Sequence, residues 1–560
     1  MLVMDQGSKS LGPLTGEVAT EPTASSDICR REVLKGAAAT AGLAIAGGFV
    51  ANIAHAASGA KTVVATTRSG RIRGYIDQGV KVFKGVRYGA DTAARRFQPP
   101  VPPQPWKNIA ETLTYGASSP QTGKNDAPFS EDCLFLNVWT PALRDKAKRP
   151  VMFYIHGGAY LHGSGSHPLY EGTQLCKRGD VVVVSVNHRL GATGYLYLAN
   201  IPGAPASFAD SGNTGMLDLV LALQWVRDNI EEFGGDPSRI MLFGQSGGGA
   251  KIATLMSMQA AHGLFHRAAT MSGQQVTASG PLNATTRTRA LLEALKLSPE
   301  RLADIVTVPI DQLVAVMDTP DPIIGRGSLY FGPTLDERTI QRHPFYPDAS
   351  PLGADIPMMI GNTHDETRGL IGGGDPATFE LKWEDLAPRL ARELRVDLLP
   401  QPVVDEYRKL YPQYTPTDVF FSATTAGRSW RAAIIEAELR AQQGKPAFVY
   451  QLDWASPKDG GKWGAPHGLD IPLVFGTLDA KGSITGTDDS ARAMSSQLSE
   501  TFIAFAKTGS PNNATIPSWE PYLVPRRATM VFNNPSKLVD DPRGAERRLF
   551  AKVPFTQQGT

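Results

Sequence analysis

Gly244-Gln245-Ser246-Gly247-Gly248 spells G-x-S-x-G. The pattern suits a serine nucleophile carried on a sharp turn between a strand and a helix. The flanks fit that reading. Arg239-Ile240-Met241-Leu242-Phe243 is a short apolar run of strand type, and residues 250–258 are small, apolar and compatible with a helix. Ser246 at the apex of such a turn would stand exposed above a sheet. The glycines serve the turn sterically, because its backbone angles are strained and strand and helix must approach closely. The pentapeptide is weak when taken alone, since glycine occurs 56 times in 560 residues.

A serine hydroxyl is a poor nucleophile at neutral pH. It needs a histidine to take its proton and an acid to orient and charge-stabilise that histidine. On the α/β architecture that uses this turn, the chain order is Ser, then Asp or Glu, then His. Beyond residue 300 histidine occurs three times. His343 precedes a proline in a polar stretch, and His364 lies beside the acid candidates. His467 sits in Gly464-Ala465-Pro466-His467-Gly468, a late loop after a strand candidate at 447–451, where a base is expected. The acid candidates follow a strand candidate at 356–360, in Gly361-Asn362-Thr363-His364-Asp365-Glu366. The carboxyl end of a parallel strand is the right place for a site residue. Position alone does not separate Asp365 from Glu366.

Charge developing on a carbonyl oxygen needs preorganised N–H donors. His156-Gly157-Gly158-Ala159 follows the strand candidate 151–155. Gly157 and Gly158 can turn their N–H groups inward, and Gly247, directly after Ser246, supplies a third. Loss of one such donor costs about 3 kcal/mol of barrier stabilisation.

These residues require a sheet that gathers them. The runs 151–155 and 181–186 are continuously apolar, as strands buried on both faces are. Residues 63–67, 70–75 and 80–83 read as an opening antiparallel set. Further strand candidates are 133–139 and 264–269, and 217–233 reads as an amphipathic helix closed by Gly234-Gly235. Helical patterns dominate 286–317. Strands alternating with helices around apolar runs predict an α/β fold with a mostly parallel sheet, an N-terminal antiparallel extension and a helical cover at about 280–440.

Composition places the chain among globular proteins able to bury a large core: 42% of residues are hydrophobic, 20% are charged, and formal net charge is +2. No basic run tracks a nucleic-acid backbone. Three cysteines and no Cys/His cluster at ligand spacing argue against a disulfide scaffold or a structural metal. Residues 1–56 read as an export signal. Arg30-Arg31 with Glu32-Val33-Leu34-Lys35 is close to a twin-arginine pattern, 36–54 is uncharged and rich in Ala and Gly, and Ala54-His55-Ala56 fits a small-x-small cleavage rule. The expectation is a partnership with the twin-arginine machinery, a periplasmic or secreted location, and a single catalytic domain over 57–560. No stretch of that domain is apolar for long enough to span a membrane.

Several ordered segments resemble one family. Glu131-Asp132-Cys133-Leu134-Phe135-Leu136-Asn137-Val138, His156-Gly157-Gly158-Ala159-Tyr160, Asn187-His188-Arg189-Leu190-Gly191, Phe233-Gly234-Gly235-Asp236-Pro237 running on to the Ser246 turn, and His467 with the eight residues after it are similar to motifs of the type-B carboxylesterases. That group includes bacterial p-nitrobenzyl esterases and the cholinesterases. The resemblance covers most of 61–508 and implies an α/β-hydrolase fold without metal or cofactor. It also implies that the acid is Glu366, because the family motif ends Asp-Glu-Gly and its Glu serves. Here Thr367 replaces the final glycine, and Asp365 is the reserve. The resemblance further implies a structural ion pair of Arg96 with Glu131. Ser119 stands where the family usually has a cysteine, which would leave Cys133 free. The loop 120–130 lacks the tryptophan that cholinesterases place there to bind choline.

The expected activity is hydrolysis of a small-molecule carboxylic ester by Ser246, His467 and Glu366, with Gly157, Gly158 and Gly247 holding the oxyanion. Two other readings use the same fold: an acyltransferase or amide or carbamate hydrolase with the same triad, and a non-catalytic binding protein. Specificity is expected in 320–345 and 368–425, where Tyr330, Phe331, Phe420 and Phe421 are candidates to line an apolar pocket.

Overall fold

Successive side chains of a strand point to opposite faces of its sheet, and the central apolar runs are built on that rule. Val182, Val184 and Val186 enter one hydrophobic core, whereas Val181 and Val183 enter the other. Val151, Phe153 and Ile155 likewise face away from Met152 and Tyr154. A strand buried on both sides needs no polar alternation, hence the continuous runs.

The computed structural model describes residues 61–123, 127–325 and 327–557. The export-signal reading of 1–56 therefore lies outside the described residues. Ala60–Thr560 forms one compact unit. Its strands are β1 Thr62–Thr67, β2 Gly70–Asp77, β3 Val80–Arg87, β4 Ala110–Glu111, β5 Phe135–Thr140, β6 Arg149–Ile155, β7 Val182–Val186, β8 Gly235–Gln245, β9 Arg267–Met271, β10 Met358–Thr363, β11 Phe448–Leu452, β12 Ala528–Phe532 and β13 Lys537–Asp540. They form one sheet in the order β1-β2-β3-β5-β7-β6-β8-β9-β10-β11-β12-β13, with β4 beside β2. Pairing is antiparallel from β1 through β5 to β7. It is parallel from β7 to β12 and antiparallel again at β13.

The parallel block positions the site. The carboxyl ends of β6, β8, β10 and β11 lie along one edge of the sheet, so the loops after them meet there. Helices cover both faces. Thr214–Asn229 packs Leu219, Leu223 and Val226 into one core, and Asp489–Thr508 packs Leu498, Phe502 and Phe505 into the other. Among the described residues no helix is long and apolar enough to cross a membrane.

Four sequence expectations need correction. The 217–233 helix begins at Thr214, ends in a tight turn at Ile230–Phe233, and is buried on most sides rather than amphipathic. The strand expected at 264–269 starts at Arg267, since Leu264 and Phe265 occupy a turn ahead of it. The helical stretch 286–317 is one helix, Pro281–Ala294, followed by short turns of helix beginning at Pro299–Thr307 and Ile310–Ala315. Pro299 and Pro309 interrupt it, having no N–H to continue a helix. The 280–440 cover is divided by β10, which belongs to the central sheet, and residues 319–325 and 327–350 are irregular, in keeping with Pro320, Pro322, Gly325 and Gly327.

One buried ion pair locks the parallel block to its helical layer. Arg189, just past β7, donates from Nε and Nη2 to Asp218 of the helix Thr214–Asn229 at 2.8 and 2.6 Å, and its backbone N–H adds a bond of 2.9 Å. Both side chains are buried. Removing one partner strands the other charge out of water, a loss of about 3–5 kcal/mol. Arg189→Met is therefore expected to lower stability to urea by about that amount, and a change below about 1 kcal/mol would contradict this role.

Candidate active site

The turn at Ser246 has the strained geometry its sequence predicts. β8 ends at Gln245, the helix Gly247–Leu255 begins one residue later, and Ser246 between them has φ 57° and ψ −126°. A non-glycine residue held there signals a fold that over-determines it. The hold is backbone contact. A Cβ on Gly248 would lie 1.9 Å from the Ile155 carbonyl, and one on Gly247 2.1 Å from the Ala159 carbonyl. The Ser246 N–H donates to Met271 O at 2.8 Å. Glycine is required at both positions because the loop after β6 lies directly against the elbow.

Glu366 opens the short helix Glu366–Leu370, three residues beyond β10, and is fully buried. Its Oε1 accepts from the Thr363 N–H at 3.0 Å and from Asn362 Nδ2 at 3.3 Å. Its Oε2 accepts a short hydrogen bond from His467 Nδ1. That bond places the imidazole proton on Nδ1 and leaves Nε2 as the acceptor, the tautomer a general base needs. Nε2 accepts from the Gln245 side-chain amide at 3.0 Å. His467 and Ser246 line the same cavity.

Glu366, not Asp365, meets His467. Asp365 instead joins two loops: its Oδ2 accepts from Ala465 N at 3.0 Å, and its N–H donates to Ala465 O at 2.9 Å. Burial opposes its ionisation, but His364 beside it, the Ala465 N–H and Arg368 hold its carboxyl down at about 2. His343 is a backbone cap, accepting from Ala278 N at 3.1 Å. Thr367, which departs from the family motif, is buried and binds Thr424, Thr425 and the Phe421 carbonyl.

Gly158 has φ +87°, and a Cβ there would strike the His162 carbonyl at 2.3 Å. A Cβ on Gly157 would lie 3.2 Å from Ser246 Cβ. Among the described residues no backbone carbonyl outside the regular elements takes the N–H of Gly157, Gly158 or Gly247. These three N–H groups belong to the loop after β6 and to the first residue of the elbow helix. His156, which opens the loop, stacks on His188 at 4.8 Å and 9°. Burial first, and then the charge of Lys251, push both imidazoles toward the neutral form, His156 to about 3.

The cavity measures about 350 Å³. Tyr330 lines it as expected, but Phe331 does not, and Phe420 and Phe421 are fully buried core residues. Sequence could not separate these roles, because an aromatic serves either. The rest of the wall comes partly from outside the expected segments: Gln274 and Gln275 after β9, Arg428 and Ser429 in the π-helical turn Ala426–Trp430, and Phe555 near the chain end. Lys251 was also missed. It sits fully buried in the elbow helix, in a stretch that reads as small and apolar, and a lone charge there was the available signal. The expected Arg96–Glu131 pair is present at 2.5 and 2.6 Å, and Cys133 and Cys176 are both buried and free.

The Carboxylesterase family matches residues 60–548. The chain belongs to that family. It is 33% identical over 509 residues to the para-nitrobenzyl esterase of Bacillus subtilis, covering 87% of this chain and 98% of the relative. It is also 33% identical to the phenmedipham hydrolase of Pseudarthrobacter oxydans, covering 86% and 96%. A crystal structure of a Geobacillus stearothermophilus carboxylesterase superposes with a TM-score of 0.77 at 36% identity, covering 87% of this chain and 99% of that one. The sheet and its helices are those of an α/β-hydrolase, and the chain is a carboxylic-ester hydrolase.

Behind the cavity wall, Glu436 is fully buried, with Oε1 accepting from Gln275 N at 2.8 Å. Burial pushes its carboxyl from 4.5 up to about 8. A raised acid favours the protonated native state, so its contribution is complete below pH 4.5 and is lost as pH rises to about 8. Glu436→Gln cannot ionise. Its stability relative to the natural chain is expected to improve steadily from pH 5 to pH 8.5 in urea titrations, and parallel stability curves would contradict the assignment.

Proposed function

We propose that this carboxylesterase works through a covalent acyl-enzyme on Ser246, with His467 as base and acid, Glu366 as its orienting carboxylate, and the N–H groups of Gly157, Gly158 and Gly247 as the oxyanion site. The observation that carries the reading is the His467 imidazole, fixed by Glu366 in the base tautomer, in the cavity that Ser246 enters from a strained turn.

In the acylation step, the Ser246 hydroxyl proton passes to His467 Nε2 as Oγ bonds to the ester carbonyl carbon. The carbonyl oxygen takes the negative charge and is held by the three N–H groups. Collapse breaks the bond to the alcohol oxygen, which leaves with the proton from Nε2. Water then gives a proton to Nε2 and attacks the acyl carbon. The Oγ–carbon bond breaks, Ser246 recovers its proton, and the carboxylic acid departs. Glu366 stabilises the imidazolium at both stages without taking its proton. In the resting state Gln245 holds Nε2, and acylation transfers that acceptor from the amide to the Ser246 hydroxyl. Hydrogen bonds of this kind tighten on substrate binding.

The first test is hydrolysis of p-nitrophenyl esters from acetate to octanoate. Ser246→Ala is expected to lose at least about 10⁴-fold in kcat. Glu366→Gln, which lets the imidazole adopt the wrong tautomer, is expected to lose about 10⁴-fold with KM little changed. Retention of more than a tenth of the activity by Ser246→Ala would refute the mechanism.

A further inference from the structure

Lys251 lies one turn into the elbow helix, and its side chain is fully buried. Its ammonium donates to the Ala159 carbonyl at 2.6 Å and to the Gly247 carbonyl at 3.3 Å. The Tyr160 ring faces it, with the nitrogen 4.8 Å from the ring centroid. Among the described residues no carboxylate lies within ion-pair distance of it. A cation in this place is costly. It has left water without a counter-charge, and it sits near the positive end of a helix dipole.

The two carbonyls it holds explain the arrangement. Ala159 closes the loop that carries Gly157 and Gly158. Gly247 is the donor on the elbow itself. These pieces belong to separate strands of the sheet, and their backbones nearly collide. Ala159 is itself held at φ 52°, in the left-handed region that a side chain disfavours. Contact alone resists approach but does not prevent the loop from peeling back and taking two of the three donors with it. A bond from Lys251 to each side closes that route.

We propose that Lys251 is a positioning residue: it clamps the oxyanion loop to the nucleophile elbow, so that the three N–H groups stand ready before charge develops. The inference rests on the acyl-enzyme reading above. Burial pulls the Lys251 ammonium down to about 7, and a neutral amine still has two hydrogens for the same two carbonyls. The clamp therefore holds in either protonation state. Its neighbours His156 and His188 are both pushed toward the neutral form and add no competing charge.

Lys251→Met keeps the length and the apolar stem and removes the donors. A residue that only fills space would lose stability in this variant and leave the folded fraction fully active. The clamp predicts a different split. On p-nitrophenyl acetate kcat falls about 10²-fold, the scale of losing an oxyanion donor, while KM stays within about threefold. The affinity of an alkyl boronic acid, which puts an anionic oxygen in the oxyanion site, falls in parallel. A kcat and boronate affinity both within threefold of the natural chain overturn the clamp. If the variant does not fold, a crystal structure of the natural chain with the boronate on Ser246 decides. The expected result is Lys251 Nζ still bonded to Ala159 O, with the boronate oxygen on Gly157, Gly158 and Gly247. An ammonium turned away from Ala159 over an intact loop overturns the clamp. A natural chain that neither hydrolyses esters nor captures the boronate defeats the acyl-enzyme mechanism, and the clamp with it. An active chain with an indifferent Lys251→Met defeats the clamp alone.

Discussion

The site depends on two backbones pressed together without side chains between them. The loop after β6 lies against the elbow after β8, and a single methyl group on Gly247 or Gly248 would overlap a carbonyl of the other segment. Parallel pairing of β6 with β8 sets this distance. The strain at Ser246 is sustained by the same contact, because both flanking elements are anchored in the largest buried layers of the protein. Ser246 is thus fixed by the sheet, and the Lys251 side chain bonds across the contact to the Ala159 and Gly247 carbonyls. In the proposed mechanism this is preorganisation in its physical sense: the dipoles are aimed before charge appears.

The second half of the site has a looser origin and a tighter electrostatic control. Glu366 and His467 come from loops after β10 and β11, which are also parallel neighbours. Asp365 joins those loops through paired bonds with Ala465, so the residue beside the acid acts as the hinge pin for the histidine loop. Glu366 can remain a hydrogen-bond acceptor in a dry place because Thr363 N–H, Asn362 and His467 all donate to it. Fixed carboxylate, fixed tautomer and strained serine are three consequences of one edge of one sheet.

Much of this was legible in the sequence, for identifiable reasons. The G-x-S-x-G turn could be read because only small residues fit its contacts. The strands 151–155 and 181–186 could be read because burial on both faces leaves no polar alternation. Choosing Glu366 over Asp365 needed the family resemblance, since adjacent carboxylates after a strand look alike until their side-chain directions are known. Other features left weaker traces. β12 and β13 are only five and four residues long, and sequence reasoning passed over them. The cavity wall is assembled from segments far apart in the chain, so no local pattern marks Gln274, Arg428 and Phe555 as neighbours. Phe420 and Phe421 show the converse: aromatic residues in the right region that turned inward to the core.

The central claim is that Ser246 becomes covalently acylated during turnover. Rapid-quench mass spectrometry of the intact chain mixed with p-nitrophenyl acetate tests it most directly. The account predicts a burst of p-nitrophenol stoichiometric with the chain and, in the same interval, the mass of one acetyl group on the peptide bearing Ser246. Steady turnover with no burst and no acetylated peptide, or an acetyl group on another residue, would contradict it.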